Sequence, residues 1–163
     1  MILGLSLASF TLLHVVISLV GILTGRVVLF AMLGNRRPAG WTGIFLATTI
    51  LTSATGFLFH SKSIGPPHIV GAISLIVLAI ALLALYGRRL SGIWRPVFIV
   101  CAVLALYLNC FVGVVQAFQK LAFLQPLAPT QSEPPFLAAQ GAVLLLFVVL
   151  GFLALRRLRP TDA

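Results

Sequence analysis

Five apolar runs, Leu5–Leu33, Trp41–Phe59, His68–Tyr86, Trp94–Phe118 and Pro135–Leu155, take up most of this 163-residue chain. A helix needs about 20 mainly apolar residues to cross the hydrocarbon core of a bilayer. Inside that core every backbone N–H and C=O must be paired within the protein, which leaves only helices and closed barrels. No run alternates with period two, so a barrel is excluded. The expected fold is therefore all-α and polytopic, a single domain over 1–163 with five transmembrane helices at about 5–33, 41–59, 68–86, 94–118 and 135–155. Only 8% of the residues are charged, too few to clothe a soluble domain of this size.

The turns between the runs separate the charges. One face receives Arg36, Arg37, Arg88, Arg89, Arg95, Arg156, Arg157 and Arg159, and the other only Lys62 and Lys120. Basic residues in short loops mark the cytoplasmic side, which predicts the N-terminus outside and the C-terminus inside. The net charge of +9 would suggest nucleic acid in a soluble protein. Here topology accounts for it, with attraction to anionic lipid headgroups as a further consequence. Before the first run there is no basic residue, so that run reads as a retained helix rather than a signal peptide. Arg26 falls in the inner half of the first helix, within snorkelling reach of the headgroups.

With this topology His14, His60 and His68 all lie in the outer half. His14, Ser18, Gly21 and Gly25 recur at helical spacing on one stripe, and Gly21–Gly25 is a GxxxG pair that lets a second helix approach closely. Thr49, Ser53, Gly56 and His60 form a stripe on the second helix, with Thr48, Thr52 and Thr55 beside it. The third helix opens after Gly65-Pro66-Pro67, and its expected packing stripe is His68, Ala72, Leu75, Ala79 and Leu82. On the fourth, Asn109, Gly113, Gln116 and Lys120 rise toward the same outer face. These stripes are expected to face protein. Cys101 and Cys110, nine residues apart on one helix, cannot bridge each other.

The outer loop Gln119–Glu133 is the longest connection. Ser132 is expected to cap the fifth helix and Glu133 to sit favourably at its positive end, with Thr130 and Glu133 spaced as in a capping box. Glu133 also has a functional reading, as the one acidic residue outside the C-terminal tail.

Two imidazoles from different helices can ligate one haem iron, and His14 with His68 is the candidate pair, with His60 as third ligand or supporting group. Asn109, Gln116 and Glu133 are the other polar candidates on that face. A haem b, a metal ion, a quinone headgroup or no cofactor at all fits the same residues. No GxGxxG, P-loop, HExxH or CxxC pattern points to other chemistry, and no catalytic residue can be named.

The order of His14, Gly-Asn-Arg-Arg at 34–37, Thr-Ser-Ala-Thr-Gly-Phe at 52–57, Gly-Pro-Pro-His-Ile at 65–69, Asn109 through Gln116, and Leu-Ala-Pro-Thr-Gln-Ser-Glu-Pro-Pro-Phe at 127–136 resembles small bacterial inner-membrane proteins. Some of these are similar in layout to oxidase-assembly and haem-handling bundles. The resemblance implies a multi-pass protein of the bacterial inner membrane whose outer face is periplasmic. Two functions are expected from this: a haem- or metal-binding redox or haem-handling protein, or a cofactor-free accessory or assembly subunit of a membrane complex. The implied partners are the lipid bilayer and another membrane protein subunit, not nucleic acid.

Overall fold

The computed structural model describes residues 4–59 and 65–157. His60, Lys62 and Arg159 fall outside this range, so what was expected of them lies outside the described residues. Five helices follow in order: α1 (Leu7–Leu33), α2 (Ala39–Gly56), α3 (Pro66–Leu82), α4 (Trp94–Lys120) and α5 (Pro134–Arg156). No strand occurs among the described residues. Four of the helices, all but α2, are long and apolar enough to cross a membrane. α2 has 18 residues and is rich in hydroxyls, which lower its hydropathy below that of its neighbours.

Most of those hydroxyls cost little, because they bond back to their own helix. Thr48 donates to the Ile44 carbonyl and Thr49 to the Phe45 carbonyl, both at 2.7 Å, and Thr42 to the Pro38 carbonyl at 3.0 Å. Thr49 is only 1% exposed, so its side chain fills space between helices like an apolar residue of the same size.

The glycine stripe of α1 faces protein as expected. A Cβ on Gly25 would come within 2.6 Å of Leu106 Cδ1 and 2.8 Å of the Phe45 ring. On Gly21 it would meet Asn109 Nδ2 at 3.1 Å and the Thr48 and Thr49 hydroxyls at 3.3 Å. These close approaches seat α1 against α2 and α4. Gly25 opposes Phe45, Gly21 opposes Thr48 and Thr49, and His14 opposes Thr55. α2 thus runs antiparallel along α1.

The α3 stripe is a correction. Ala72 and Ala79 are exposed, and α3 instead packs through Ser74, Val77, Leu78 and Ala81. Small size is no driving force when lipid competes for the same face, and the face that wins offers larger complementary side chains and a hydrogen bond from Ser53 to Ser74 at 3.0 Å. Gly113 on α4 is also exposed, with only Ile22 near it. After Leu82 the helix widens into a π turn, Leu83–Gly87, in which Arg88 N–H donates to the Leu83 carbonyl.

α4 is central and touches the other four helices, whereas α5 buries the smallest share of its span. The main apolar core lies in the half nearer the arginines, built from Val28, Leu29, Phe45, Leu78, Phe98, Leu106 and Phe147 among others. A separate cluster of Phe118, Ala128 and Phe136 closes the other end, where the α4–α5 loop folds back through a short 3-10 turn at Gln125–Leu127. Between the two clusters the interior is polar.

Candidate functional site

The polar interior is assembled by all five helices. α1 contributes His14, whose Nδ1 lies 2.8 Å from Thr55 Oγ1 on α2. The Thr55 hydroxyl has one proton, and its shortest contact, 2.6 Å to the Leu51 carbonyl, takes it. The oxygen therefore accepts from His14, which puts the imidazole proton on Nδ1 and leaves a lone pair on Nε2. Phe59 meets the ring edge-on at 5.1 Å, and Phe10, 1% exposed, packs on Phe59. Gly56 faces the imidazole, and a Cβ there would stand in ordinary contact, 3.9 Å from His14 Cε1.

His68 is engaged differently. It stands in the first turn of α3, where the Gly65 N–H donates to its Nδ1 at 3.3 Å, while its ring meets Phe57 edge-on at 5.7 Å. The acceptor nitrogen is Nδ1, so the proton is on Nε2. A neutral imidazole ligates a metal through its unprotonated nitrogen. In His68 that nitrogen already satisfies an orphan donor at the helix start. In His14 that nitrogen, Nε2, has no hydrogen-bond partner among the described residues. The structure thus gives His14 and His68 different neighbours and opposite tautomers. Among the described residues no group of three His, Cys, Asp or Glu side chains could hold a metal ion.

Asn109 comes from α4 into the α1–α2 interface, where its Nδ2 is buried without a hydrogen-bond partner beside Gly21, Thr48 and Thr49. Thr52 Oγ1 is likewise buried and unpartnered. Gln116, further along the same stripe, is half-buried, and Lys120 is exposed at the helix end. Gln140 on α5 carried no expectation: it is 9% exposed and donates to the Phe111 carbonyl at 3.1 Å, with its Oε1 unpartnered. A lone amide in an otherwise apolar helix is the signal that would have found it.

Glu133 is half-buried and stands at the positive end of α5 as expected, but its side chain does not cap the helix. It precedes α5 as the N-cap residue, but the carboxylate turns back into the loop, not onto the helix. It accepts from the Thr130 N–H at 3.1 Å, the Thr130 hydroxyl at 2.8 Å and the Ser132 N–H at 3.0 Å. The Ser132 hydroxyl meets Thr130 instead of capping α5, because Pro134 and Pro135 remove the first-turn N–H groups that a cap would serve. Desolvation pushes the Glu133 carboxyl up, and the bonds from Thr130 and Ser132 outweigh it, holding the group below its ordinary value. Gln131, in the left-handed region at φ 60°, donates to the Val115 carbonyl at 3.2 Å and ties the loop to α4.

Comparison with protein-family models, curated proteins and solved structures finds no match. Cys101 and Cys110 are both free thiols, the first buried and the second half-buried. Arg26 is exposed on α1 rather than buried in an ion pair. Among the described residues, four side-chain hydrogen bonds in the half that holds His14 join different elements: His14 to Thr55, Ser53 to Ser74, Gln140 to Phe111 and Gln131 to Val115.

Proposed function

We propose that this is a five-span protein of the bacterial inner membrane, N-terminus outside and C-terminus inside, acting as a cofactor-free accessory or assembly subunit of a membrane complex. The antiparallel run of α2 along α1 supports a fifth crossing, since a helix in contact with α1 from Gly25 to His14 traverses the same depth. The arginine-rich turns support the orientation. The likeness to small bacterial inner-membrane proteins supports the location.

The observation behind the accessory reading is the engagement of the histidines. His14 binds α1 to α2 through Thr55, and His68 caps α3 through Gly65. Ser53 to Ser74, Gln140 to Phe111 and Gln131 to Val115 spend their hydrogen bonds the same way. Such contacts are how helices are held together in lipid, where apolar burial no longer drives association. A subunit of this kind offers partners the outer loop, in which Phe123 is 70% exposed.

A second reading rests on the Nε2 of His14, which has no hydrogen-bond partner among the described residues. It is a haem- or metal-handling protein in which His14 is the principal ligand and His60 or His68 the other, for haem b or a metal ion. In that case His68 must give up its contact with Gly65. The absorption spectrum of protein purified from haem-replete cells separates the two. A colourless, metal-free protein that co-purifies with a membrane partner supports the accessory reading. A Soret band lost in His14→Ala overturns it in favour of the second.

A further inference from the structure

At the arginine-rich end, α1 stops in a Schellman turn. The Arg36 N–H donates to the Ala31 carbonyl at 2.8 Å and the Asn35 N–H to the Met32 carbonyl at 2.9 Å, with Asn35 left-handed at φ 55°. Asparagine tolerates that conformation. The turn aims its side chain at the start of α4, where Asn35 Oδ1 accepts from Arg95 Nη2 at 2.7 Å. Arg95 is half-buried, whereas Arg36 and Arg37 are exposed. Arg36, Arg37 and Arg95 line one recess, floored by Met32, Leu90, Phe98 and Ile99. Leu90 reaches that floor from a left-handed backbone (φ 58°), an unusual conformation for leucine, and is 8% exposed.

Among the described residues these charges lack a counterpart. Glu133, the one acidic residue among the described residues, is at the other end of the bundle. Arg95 stands in the first turn of α4, where the helix dipole adds further positive potential. Topology alone requires arginines on this face. It does not require three of them around one recess, with the half-buried one oriented by a side-chain amide. The enclosed volume is about 20 Å³, enough for one oxygen-sized group with the remainder at the rim. α1 has 27 residues, about 40 Å of helix against a hydrocarbon core near 30 Å, so its end reaches headgroup depth.

We propose that Arg36, Arg37 and Arg95 form a binding site for a phosphate group with net negative charge, carried by an anionic lipid headgroup or by a soluble phosphate. Guanidinium forks match phosphate oxygens in pairs, and the apolar floor suits the glycerol end of a phospholipid. Arg95, held by Asn35, takes the oxygen in the recess, and Arg36 and Arg37 close over the others.

The test uses the full chain. For the lipid source, protein equilibrated with equal phosphatidylglycerol and phosphatidylcholine is examined by native mass spectrometry for retained lipid. For the soluble source, pyrophosphate is titrated calorimetrically in phosphatidylcholine nanodiscs. Arg95→Gln and the exposed pair Arg36→Gln/Arg37→Gln are compared with Arg88→Gln/Arg89→Gln, and the pair keeps the test valid if Arg95→Gln fails to fold. The site predicts selective binding in one arm, weakened about fivefold per arginine removed at the recess and little changed by the 88/89 pair. Equal retention of both lipids with no pyrophosphate heat overturns it, as does equal loss in the 88/89 pair. Asp162, the other acidic residue of the chain, lies outside the described residues. Binding seen only in Asp162→Asn would make the tail the occupant and overturn the proposal.

Discussion

His14 Nδ1 meets Thr55 Oγ1 at 2.8 Å across the α1–α2 interface, and the Thr55 hydroxyl spends its own proton on Leu51. The contact fixes the imidazole tautomer and ties together two helices that converge at Gly21 and Gly25. Thr55→Val keeps the shape and removes the acceptor. It is expected to cost about 1 kcal/mol of bundle stability, in the range of interhelical hydrogen bonds in membranes. Nitrogen NMR of the wild type should find the His14 proton on Nδ1, and the variant should redistribute it. An Nε2–H tautomer in the wild type would refute the donor assignment.

Close packing at Gly25 gives a sharper mechanical test. Gly25→Ala brings a methyl group within 2.6 Å of Leu106 and 2.8 Å of Phe45, both fully buried, so neighbours must shift. The expected loss is about 1–3 kcal/mol. Gly113→Ala meets only Ile22 at 3.8 Å, an ordinary contact, and should be neutral. Equal thermal midpoints for the two variants would contradict the packing described.

Much of this was legible in the sequence, and the exceptions share a cause. Apolar length predicted the helices to within a few residues, and the GxxxG pair predicted which face of α1 meets protein. The Ala72–Ala79 stripe of α3 misled because an apolar helix in lipid has no polar face to mark its inside. The choice falls to shape, as in Leu78 and Ala81, which periodicity does not encode. The tautomers of His14 and His68 were not legible, because they depend on Thr55 and the Gly65 N–H. Asn35 with Arg95 was hidden for a similar reason: sixty residues separate a turn asparagine from the helix start it orients.

The outer loop should respond to acid. Glu133 has a folded value below its ordinary 4.5, so its contribution to loop order is complete above 4.5. It fades as the pH falls below that value and is lost once the depressed folded value is passed. Hydrogen exchange at the Thr130 and Ser132 amides should accelerate in that window, and Glu133→Gln should flatten the response. Unchanged exchange down to pH 2 would remove the carboxylate from any role in ordering the loop.

Topology is open to direct labelling. In a Cys101→Ala/Cys110→Ala background, Gln125→Cys and Lys62→Cys should react with an impermeant thiol reagent applied to the periplasmic side, and Arg88→Cys only after the membrane is opened. The reasoning runs through α2. If α2 crosses, the two ends of the chain lie on opposite sides, and residue 62 lies opposite the α1–α2 turn, so Arg36→Cys should label only after the membrane is opened. If α2 only lay along the surface, residue 62 would share the side of the α1–α2 turn, while residues 62 and 125, separated by α3 and α4, would still share a side. Labelling of Arg36→Cys and Lys62→Cys from the same side would therefore remove the fifth crossing, while the reverse of the whole pattern would invert the orientation and leave the bundle intact.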